Sequence, residues 1–295
     1  MPLYDMPLYR PPSEAYSLIF QVTLGCSFNQ CSFCSMYRTK SFHIRPIEEV
    51  LSEIHEAARF HPNERRVFLA DGDALACPTE YLKQVLTTLY QAFPKLTRVT
   101  CYALPSNLLR KSVKELSQLR KQGLTMIYYG IESGSREILK RITKGATPQS
   151  MLTGVEKART ANLKVSGTVI LGLGGKTLWK EHIDGTTTLV NRMPLNYLST
   201  LQIYLEPIVQ KEFRKKFSRI GGNYEPQDDL GILTEQAHFV ANFNPTAPVI
   251  FRANHASNTL PLKAILPRDR DKILTVLSAA ANGKIPLRPL SQRGL

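Results

Sequence analysis

The sequence predicts an α/β fold in which helices pack around a parallel β-sheet that is either open or curled into a barrel. Six short segments rich in apolar and β-branched residues have the length of strands, and segments with helical periodicity separate them. Strands joined by helices imply right-handed crossovers and parallel neighbours. Hydrophobic residues are 43% and charged residues 21% of the 295 residues, so the chain can form a core and is not a disordered protein.

The predicted elements alternate regularly up to residue 205. The predicted strands cover residues 17–24, 66–70, 97–103, 125–131, 164–171 and 197–205. The predicted helices cover residues 46–60 and 79–93, one helix that Ser106 caps and that carries Leu109, Val113, Leu116 and Leu119, a short helix after Ser135, one from Thr147 to Asn162, and residues 178–192. In a parallel sheet of either kind, ligands bind at the carboxyl ends of the strands.

The alternation is absent at the N-terminus and weakens after Glu206-Pro207. The first sixteen residues repeat Met-Pro-Leu-Tyr and are rich in proline, which excludes a regular helix, so we predict an extended arm over residues 1–16. Beyond residue 205 the sequence predicts helices over 209–219, 234–243 and 270–281 and a strand over 247–251. We therefore expect a core of residues 17–205 with a C-terminal extension, residues 206–295, packed on it.

The charge balance is strongly basic, with 38 Lys and Arg residues against 24 Asp and Glu and a net charge of +14. This charge suits an RNA, a phosphorylated metabolite or an acidic redox protein, and it is equally compatible with a solvated basic surface. No apolar stretch approaches the roughly 20 residues that a membrane-spanning helix needs. The N-terminus has no basic region followed by an apolar run, so we expect a cytoplasmic protein without membrane contact.

Three of the five cysteines, Cys26, Cys31 and Cys34, lie within nine residues directly after the first predicted strand. Clustered thiols in a reducing compartment indicate a metal or redox site rather than disulfides. A structural zinc site needs four ligands; His43 could be the fourth, but zinc modules usually bring a second closely spaced pair of ligands, which this sequence lacks. Three cysteines without a clear fourth ligand favour a [4Fe–4S] cluster with one iron open to another ligand. The remaining two, Cys77 and Cys101, are expected to be buried thiols.

Three further motifs follow predicted strands. Asp71-Gly72-Asp73 follows the second strand, Gly130-Ile131-Glu132-Ser133-Gly134 follows the fourth, and Gly172-Leu173-Gly174-Gly175 follows the fifth. Alone, the aspartates are compatible with an ordinary turn and Glu132 with a helix cap. The glycine run fits neither a phosphate-binding loop nor a dinucleotide fingerprint, because Ile170 and Thr177 occupy required glycine positions.

Taken together, the cysteines and these motifs resemble the radical S-adenosylmethionine (SAM) superfamily over about residues 17–205. The family pattern is three cysteines, usually with three and then two residues between them, and an aromatic residue before the last. Here Phe33 precedes Cys34, but four residues separate Cys26 from Cys31. The run from Gly130 to Gly134 is similar to the Elp3-like and methylthiotransferase (MiaB-like) cores. The resemblance implies a partial (β/α)6 TIM-like barrel of parallel strands.

The resemblance also implies a role for each motif. Cys26, Cys31 and Cys34 would hold three irons of a [4Fe–4S] cluster whose fourth iron binds SAM. Either Asp71 or Asp73 would bind the SAM amino group, Glu132 the ribose hydroxyls, and Ser133 would lie close to SAM. The backbone at Gly172 would approach the adenine, and Phe33 would pack on a planar ligand or shield the cluster. An external reductant of the flavodoxin or ferredoxin type is implied as a partner.

The sequence leaves the substrate class open. The polar run that includes Arg252, Asn254 and His255 either lines a substrate pocket, with His255 in proton transfer or anion contact, or caps local backbone. No auxiliary cysteine cluster, cobalamin domain or RNA-binding barrel is evident, which favours a small-molecule substrate. An RNA substrate is the alternative, because two segments are rich in basic residues: Arg136, Lys140, Arg141 and Lys144, and Lys211, Arg214, Lys215, Lys216 and Arg219. A third alternative is a non-enzymatic, zinc-stabilised nucleic-acid-binding protein.

Overall fold

The computed structural model describes residues 4–293, and its contacts divide the chain into two compact units. The first unit contains the chain up to Asn29, then Met36–Tyr129 and Glu156–Val165. The second contains Gln30–Ser35, Gly130–Val155 and the chain from Ser166 onward. The division into an arm, a core and an extension stays a prediction.

The first unit is built on parallel strands with helices between them. Its strands are β1 (Leu18–Gln21), β2 (Thr23–Leu24), β3 (His43–Ile44), β4 (Arg66–Ala70), β5 (Arg98–Ala103) and β6 (Leu124–Glu132), the last ending in the second unit. Its helices are α1 (Ile47–Phe60), α2 (Thr79–Ala92), α3 (Pro105–Arg110) and α4 (Val113–Lys121). Strands β1, β4, β5 and β6 pair in parallel in that order. Residues 25–42, which connect β2 to β3 and carry the three clustered cysteines, are called the cysteine loop. The antiparallel pairing of β2 with β3 brings the two ends of this loop together.

The core of the first unit forms where the periodicity predicts it. Helix α2 buries Leu82, Val85, Leu86 and Leu89, which recur at helical spacing and remove one apolar stripe from water. Strand β4 is buried from Val67 to Ala70, as expected of a strand covered on both faces. The N-terminal arm is not extended throughout, since Pro12–Glu14 form one turn of 3-10 helix.

The prediction of a single helix after Ser106 is wrong, because the structure has α3 and α4 there. Ser112 caps α4: its hydroxyl accepts a hydrogen bond from the Glu115 N–H at 3.2 Å, and the Glu115 carboxylate accepts one from the Ser112 N–H at 2.8 Å. This reciprocal capping box satisfies two N–H groups that would otherwise lack partners, and it makes a new helix start at Ser112 favourable.

The second unit continues the alternation. Its helices are α5 (Arg136–Arg141), α6 (Pro148–Thr160, whose last turn belongs to the first unit), α7 (Gly175–Arg192), α8 (Pro207–Ser218), α9 (Asp229–Asn242) and α10 (Arg270–Ala281). Its strands are β7 (Lys164–Leu171, whose first two residues belong to the first unit), β8 (Tyr197–Gln202), β9 (Val249–Ala253) and β10 (Leu262–Leu266). Strands β7, β8 and β9 pair in parallel, and β10 pairs antiparallel with β9.

The largest differences from the sequence predictions lie after residue 205. Strand β10 was not predicted, because five residues flanked by Pro261 and Pro267 resemble a loop. Helix α9 begins five residues earlier than expected, because the Asp228 carboxylate accepts a hydrogen bond from the Gly231 N–H at 2.8 Å and caps it. The α/β class with mostly parallel strands is confirmed. Between residues 4 and 293, no helix combines the length and hydropathy that crossing a membrane requires.

Candidate active site

In the first unit, the Asp71 carboxylate anchors the start and the end of the cysteine loop. It accepts hydrogen bonds from the Gly25 N–H at 3.1 Å, the Gln21 side chain at 2.9 Å and the Lys40 ammonium at 2.9 Å. Asp71 is fully buried, and the Lys40 side chain is 6% exposed. Because Gly25 precedes Cys26 and Lys40 lies near the loop's end, this buried ion pair holds the loop closed at its base.

Gly72, the residue after Asp71, packs closely against the cysteine loop. Its N–H donates to the Gly25 carbonyl at 3.1 Å. A Cβ at this position would lie 2.4 Å from the ring of Tyr37, which is a later residue of the cysteine loop. The turn therefore needs glycine because the Tyr37 ring occupies the space that a side chain would take.

Asp73 differs from Asp71 because one of its carboxylate oxygens lacks a partner. The Ser27 hydroxyl donates to Oδ2, whereas Oδ1 is buried and accepts no hydrogen bond from any residue that the structure describes. Burial raises the pKa of Asp73 to about 6, although the hydrogen bond from the Ser27 hydroxyl opposes the shift. A buried acceptor without a donor is costly, so this oxygen is well suited to accept a hydrogen bond from a bound cationic group.

In the second unit, Cys31 and Cys34 lie in one tight turn. The Cys34 N–H donates to the Cys31 carbonyl at 3.1 Å, and the Ser32 N–H donates to the carbonyl of Ile142, next to α5, at 2.9 Å. Both thiols, like that of Cys26, are half-buried, as is Phe33. Two cysteines one turn apart on an anchored segment fit the donor set of an iron–sulfur cluster.

Lys144 places a positive charge near this cysteine turn. Its Nζ lies 2.9 Å from Oε1 of Glu132, and both side chains are buried. Burial lowers the pKa of Lys144, but the negative charges of Glu132, Cys31 and Cys34 outweigh burial and raise that pKa. The sequence places Lys144 in one of the two basic segments but does not reveal this role, because nothing local identifies a lysine that is buried against a glutamate twelve positions away.

Glu132, the partner of Lys144 in this ion pair, has an uncommon backbone conformation. Its φ is +62°, in the left-handed region that glycine favours. A Cβ at Gly130 would lie 2.1 Å from Oε1 of Glu132 and 2.9 Å from Nζ of Lys144, so glycine there leaves room for the ion pair. The predicted contact of Glu132 with ribose stays a prediction.

Ser133 is joined to a histidine that the sequence analysis did not single out. Its hydroxyl oxygen lies 2.8 Å from Nδ1 of His182 on α7, and Nε2 of His182 donates to the Ile170 carbonyl at 2.9 Å. Both residues are fully buried, and burial lowers the pKa of His182 to about 4, so the ring is neutral near pH 7. His182 therefore links the turn after β6 to β7 as a structural contact.

The predicted glycine turn after β7 is held by two residues of the C-terminal segment. The Gly172 N–H donates to Oε2 of Glu235 on α9 at 2.7 Å, and the Tyr224 hydroxyl donates to the Gly172 carbonyl at 3.0 Å. Gly172 has a φ of +83° and follows β7 directly. Glu235 and Tyr224 were not identified from the sequence, because neither lies in a motif.

The polar run after β9 caps backbone groups. The Asn258 side chain accepts from the Gln202 N–H at 2.6 Å and donates to the Thr200 carbonyl at 2.8 Å, so it caps the end of β8. The ring of His255 accepts from the Ser257 N–H at 3.1 Å, and Arg252 donates to the Phe251 carbonyl at 2.7 Å. These contacts support the capping interpretation. Asn254 is exposed, and a substrate role for Arg252, Asn254 and His255 stays a prediction.

No disulfide joins the five cysteines, all of which lie in the part of the chain that the structure describes. Over residues 4–293, no three His, Cys, Asp or Glu side chains already lie close enough together to hold a metal ion. The identification of Cys26, Cys31 and Cys34 as cluster ligands therefore stays a prediction, made from residue type and position on the loop.

Comparison with known proteins identifies the family. The model of the Radical SAM superfamily matches residues 20–185, more than half of the chain. An uncharacterized methyltransferase of Pyrococcus horikoshii is 25% identical over 205 residues, and the match covers 67% of this chain and 42% of the relative. The heme chaperone HemW of Bacillus subtilis is 19% identical over 184 residues, covering 60% of this chain and 48% of the relative. The chain spans less than half the length of these curated relatives.

The fold is similar to that of solved radical SAM enzymes. Coproporphyrinogen III oxidase (HemN) from Escherichia coli superposes with a TM-score of 0.58 at 15% identity, covering 77% of this chain and 52% of the oxidase. This likeness confirms the fold class, a partial TIM-like barrel of mostly parallel strands. The chain belongs to the radical SAM superfamily, whose enzymes use a [4Fe–4S] cluster and SAM.

Proposed function

We propose that this radical SAM enzyme removes a hydrogen atom from a small-molecule substrate and that Cys26, Cys31 and Cys34 hold its cluster. The observation that carries the proposal is the cysteine loop. It begins directly after β2, its base is anchored by Asp71, and Cys31 and Cys34 lie in one turn. Cysteines that are close together in the sequence and lie on an anchored loop are the kind of sulfur ligands that an iron–sulfur cluster needs.

We assign the SAM amino group to Asp73 rather than to Asp71. Both Asp71 oxygens already accept hydrogen bonds from Gln21, Gly25 and Lys40. Oδ1 of Asp73 is buried without a partner and would gain a charge-assisted hydrogen bond from an ammonium group. Asp71 then acts only by anchoring the loop.

The chemistry that a bound and reduced cluster supplies is one-electron cleavage of SAM to methionine and a 5′-deoxyadenosyl radical, which takes hydrogen from the substrate. The chain's own residues position the cofactors: the cysteine loop holds the metal, Asp73 accepts the amino group, and the turns at Glu132 and Gly172 hold the nucleoside. The electron comes from an external donor, and we propose a flavodoxin or a ferredoxin. Their acidic surfaces complement the net charge of +14.

The contacts of the basic residues favour a small molecule over RNA. Arg141 is buried and donates to the Gly221 carbonyl at 2.6 Å, and Lys144 is buried against Glu132. Lys216 pairs with Glu212 at 2.6 Å and donates to the Gln30 carbonyl. These three residues of the two basic segments are engaged in internal contacts, so fewer charges remain for a phosphate backbone. Family membership in turn favours an enzyme over a zinc-stabilised binder.

Anaerobic reconstitution with iron and sulfide, followed by a SAM-cleavage assay with dithionite, tests the proposal. We expect about four irons per chain and reductant-dependent 5′-deoxyadenosine. Cys34→Ala should abolish both, whereas Cys101→Ala, which removes a buried thiol outside the loop, should retain both. Asp73→Asn should keep the iron and weaken SAM binding. Retention of the cluster in Cys34→Ala would refute the ligand assignment, and tight, salt-dependent binding of RNA would favour the RNA substrate.

A further inference from the structure

One segment of the chain, residues 224–235, hydrogen-bonds both peptide groups of Gly172. The Gly172 N–H donates to the Glu235 carboxylate at 2.7 Å, and the Gly172 carbonyl accepts from the Tyr224 hydroxyl at 3.0 Å. One further hydrogen bond holds the same turn, from the Lys176 N–H to the Glu225 carbonyl at 2.8 Å. The segment also lies so close to Gly175 that an added Cβ would be 2.5 Å from that carbonyl oxygen. The segment therefore fixes the backbone of the turn rather than merely covering it.

The two side chains are themselves held rigidly. Glu235 is fully buried, and its second oxygen accepts from the Gln227 amide at 3.1 Å. The Tyr224 ring is 5% exposed and packs edge-on against Phe213 and Phe217 on α8, with centroid distances of 4.8 and 5.1 Å. Groups whose own positions are fixed by packing and hydrogen bonds can hold a binding site in one geometry.

A buried carboxylate that accepts a hydrogen bond from a backbone N–H stabilises a turn at a cost, because burial disfavours its negatively charged form. Burial raises the pKa of Glu235 to about 7, while the hydrogen bonds from Gly172 and Gln227 lower it. The turn lies at the carboxyl end of parallel strand β7 and leads into α7, the position at which α/β folds bind ligands. A site there benefits from a backbone that does not move when the ligand binds.

We infer that Tyr224 and Glu235 are positioning residues that hold the Gly172 turn in the conformation that binds SAM. This inference rests on the proposed function, in which the turn contacts SAM. Neither residue touches the cofactor: each acts through one hydrogen bond to the Gly172 backbone. Residues 224–235 of the C-terminal segment therefore contribute to cofactor affinity although the matched family region ends at residue 185.

The test measures SAM binding to the reconstituted, oxidised protein by equilibrium dialysis, a state in which no electron is available for cleavage. Tyr224→Phe removes one hydrogen bond and keeps the ring, so the Kd for SAM should rise about five-fold, with iron content and cluster absorbance unchanged. Glu235→Ala should raise the Kd further, and Glu235→Gln, which keeps an acceptor oxygen, should restore most of the affinity.

The matched control is Tyr90→Phe. The Tyr90 hydroxyl also donates to a glycine carbonyl, that of Gly123, at 2.9 Å, but in the first unit. Its loss should lower the free energy of unfolding and leave the Kd unchanged. If Tyr224→Phe behaves like this control, the inference is wrong and the proposed function stands; should Glu235→Ala not fold, Tyr224→Phe alone decides. If the wild-type protein binds no SAM, the proposed function itself fails.

Discussion

Lys144 and Glu132 form a buried ion pair in which Nζ and Oε1 are 2.9 Å apart and the side chains are 5% and 10% exposed. The pair lies beside the turn of Cys31 and Cys34, whose charges act on Lys144. Such a pair matters most when one partner is removed, since the remaining charge is buried without compensation.

Lys144→Met should therefore lower the free energy of unfolding by about 3–5 kcal/mol, measured by urea denaturation. The double variant Glu132→Gln/Lys144→Met should recover much of this loss because no unpaired charge remains. The control is Lys83→Met, which breaks the exposed pair with Glu80 and should cost at most about 1 kcal/mol. Equal losses in the two single variants would contradict the buried pair.

The two aspartates of the turn after β4 should differ in stability. Asp71→Asn removes the charge that Lys40 pairs with inside the protein, so we expect a loss of about 3 kcal/mol. Asp73→Asn replaces a buried carboxylate whose Oδ1 has no partner, so the loss should be below about 1 kcal/mol. Urea unfolding at pH 7.5 checks both, and a reversed order would show that Asp73, not Asp71, anchors the loop.

Glu235 should make stability depend on pH. Burial raises its pKa in the folded chain from 4.5 to about 7, so between these values the folded chain holds a proton that the unfolded chain has lost. The contribution of Glu235 to the free energy of unfolding is therefore highest below pH 4.5, falls as the pH rises from 4.5 to about 7, and is then constant. The total loss is about 1.4 kcal/mol per unit of pKa shift. The groups that face Glu235 are the Gly172 N–H, Gln227 and Tyr224, and burial keeps the pKa of Tyr224 above its ordinary value, so it does not titrate here.

Unfolding curves of the wild-type protein and of Glu235→Gln, collected from pH 4.5 to 8, check this effect. Between pH 4.5 and 8, the free energy of unfolding of the wild-type protein should fall by about 3 kcal/mol relative to that of Glu235→Gln. Two curves that stay parallel would rule out titration of Glu235 in this window.

Gly134 should tolerate no side chain. A Cβ there would lie 2.2 Å from the Gly185 carbonyl oxygen and 2.7 Å from the Thr186 Cα, both backbone atoms of α7 that cannot move without shifting the helix. Gly134→Ala should cost about 3 kcal/mol or more. Gly167→Ala is the control, because its Cβ would meet only side-chain ends of Ile131, Leu195 and Leu198, and it should cost about 1–2 kcal/mol. Thermal unfolding separates the two, and equal shifts would refute the close approach.

The sequence by itself determined the order of the elements, because strand and helix periodicity is local. Strands β4 and β7 have the predicted bounds, as does helix α10, and the cysteines follow the first strands as expected. The elements it missed depend on contacts that override periodicity: the Ser112–Glu115 box splits one helix into two, and β10 exists because it pairs with β9.

Only the tertiary structure decided which side chains hold the turns in place through hydrogen bonds. Asp71 and Asp73 are equivalent in the sequence, but the fold gives Asp71 three donors and leaves one oxygen of Asp73 without any. Glu235 lies 63 positions from Gly172, and Tyr224 lies 52 positions from it. Hydrogen bonds of this kind depend on distances of about 3 Å, and a linear pattern carries no such distance between residues so far apart along the chain.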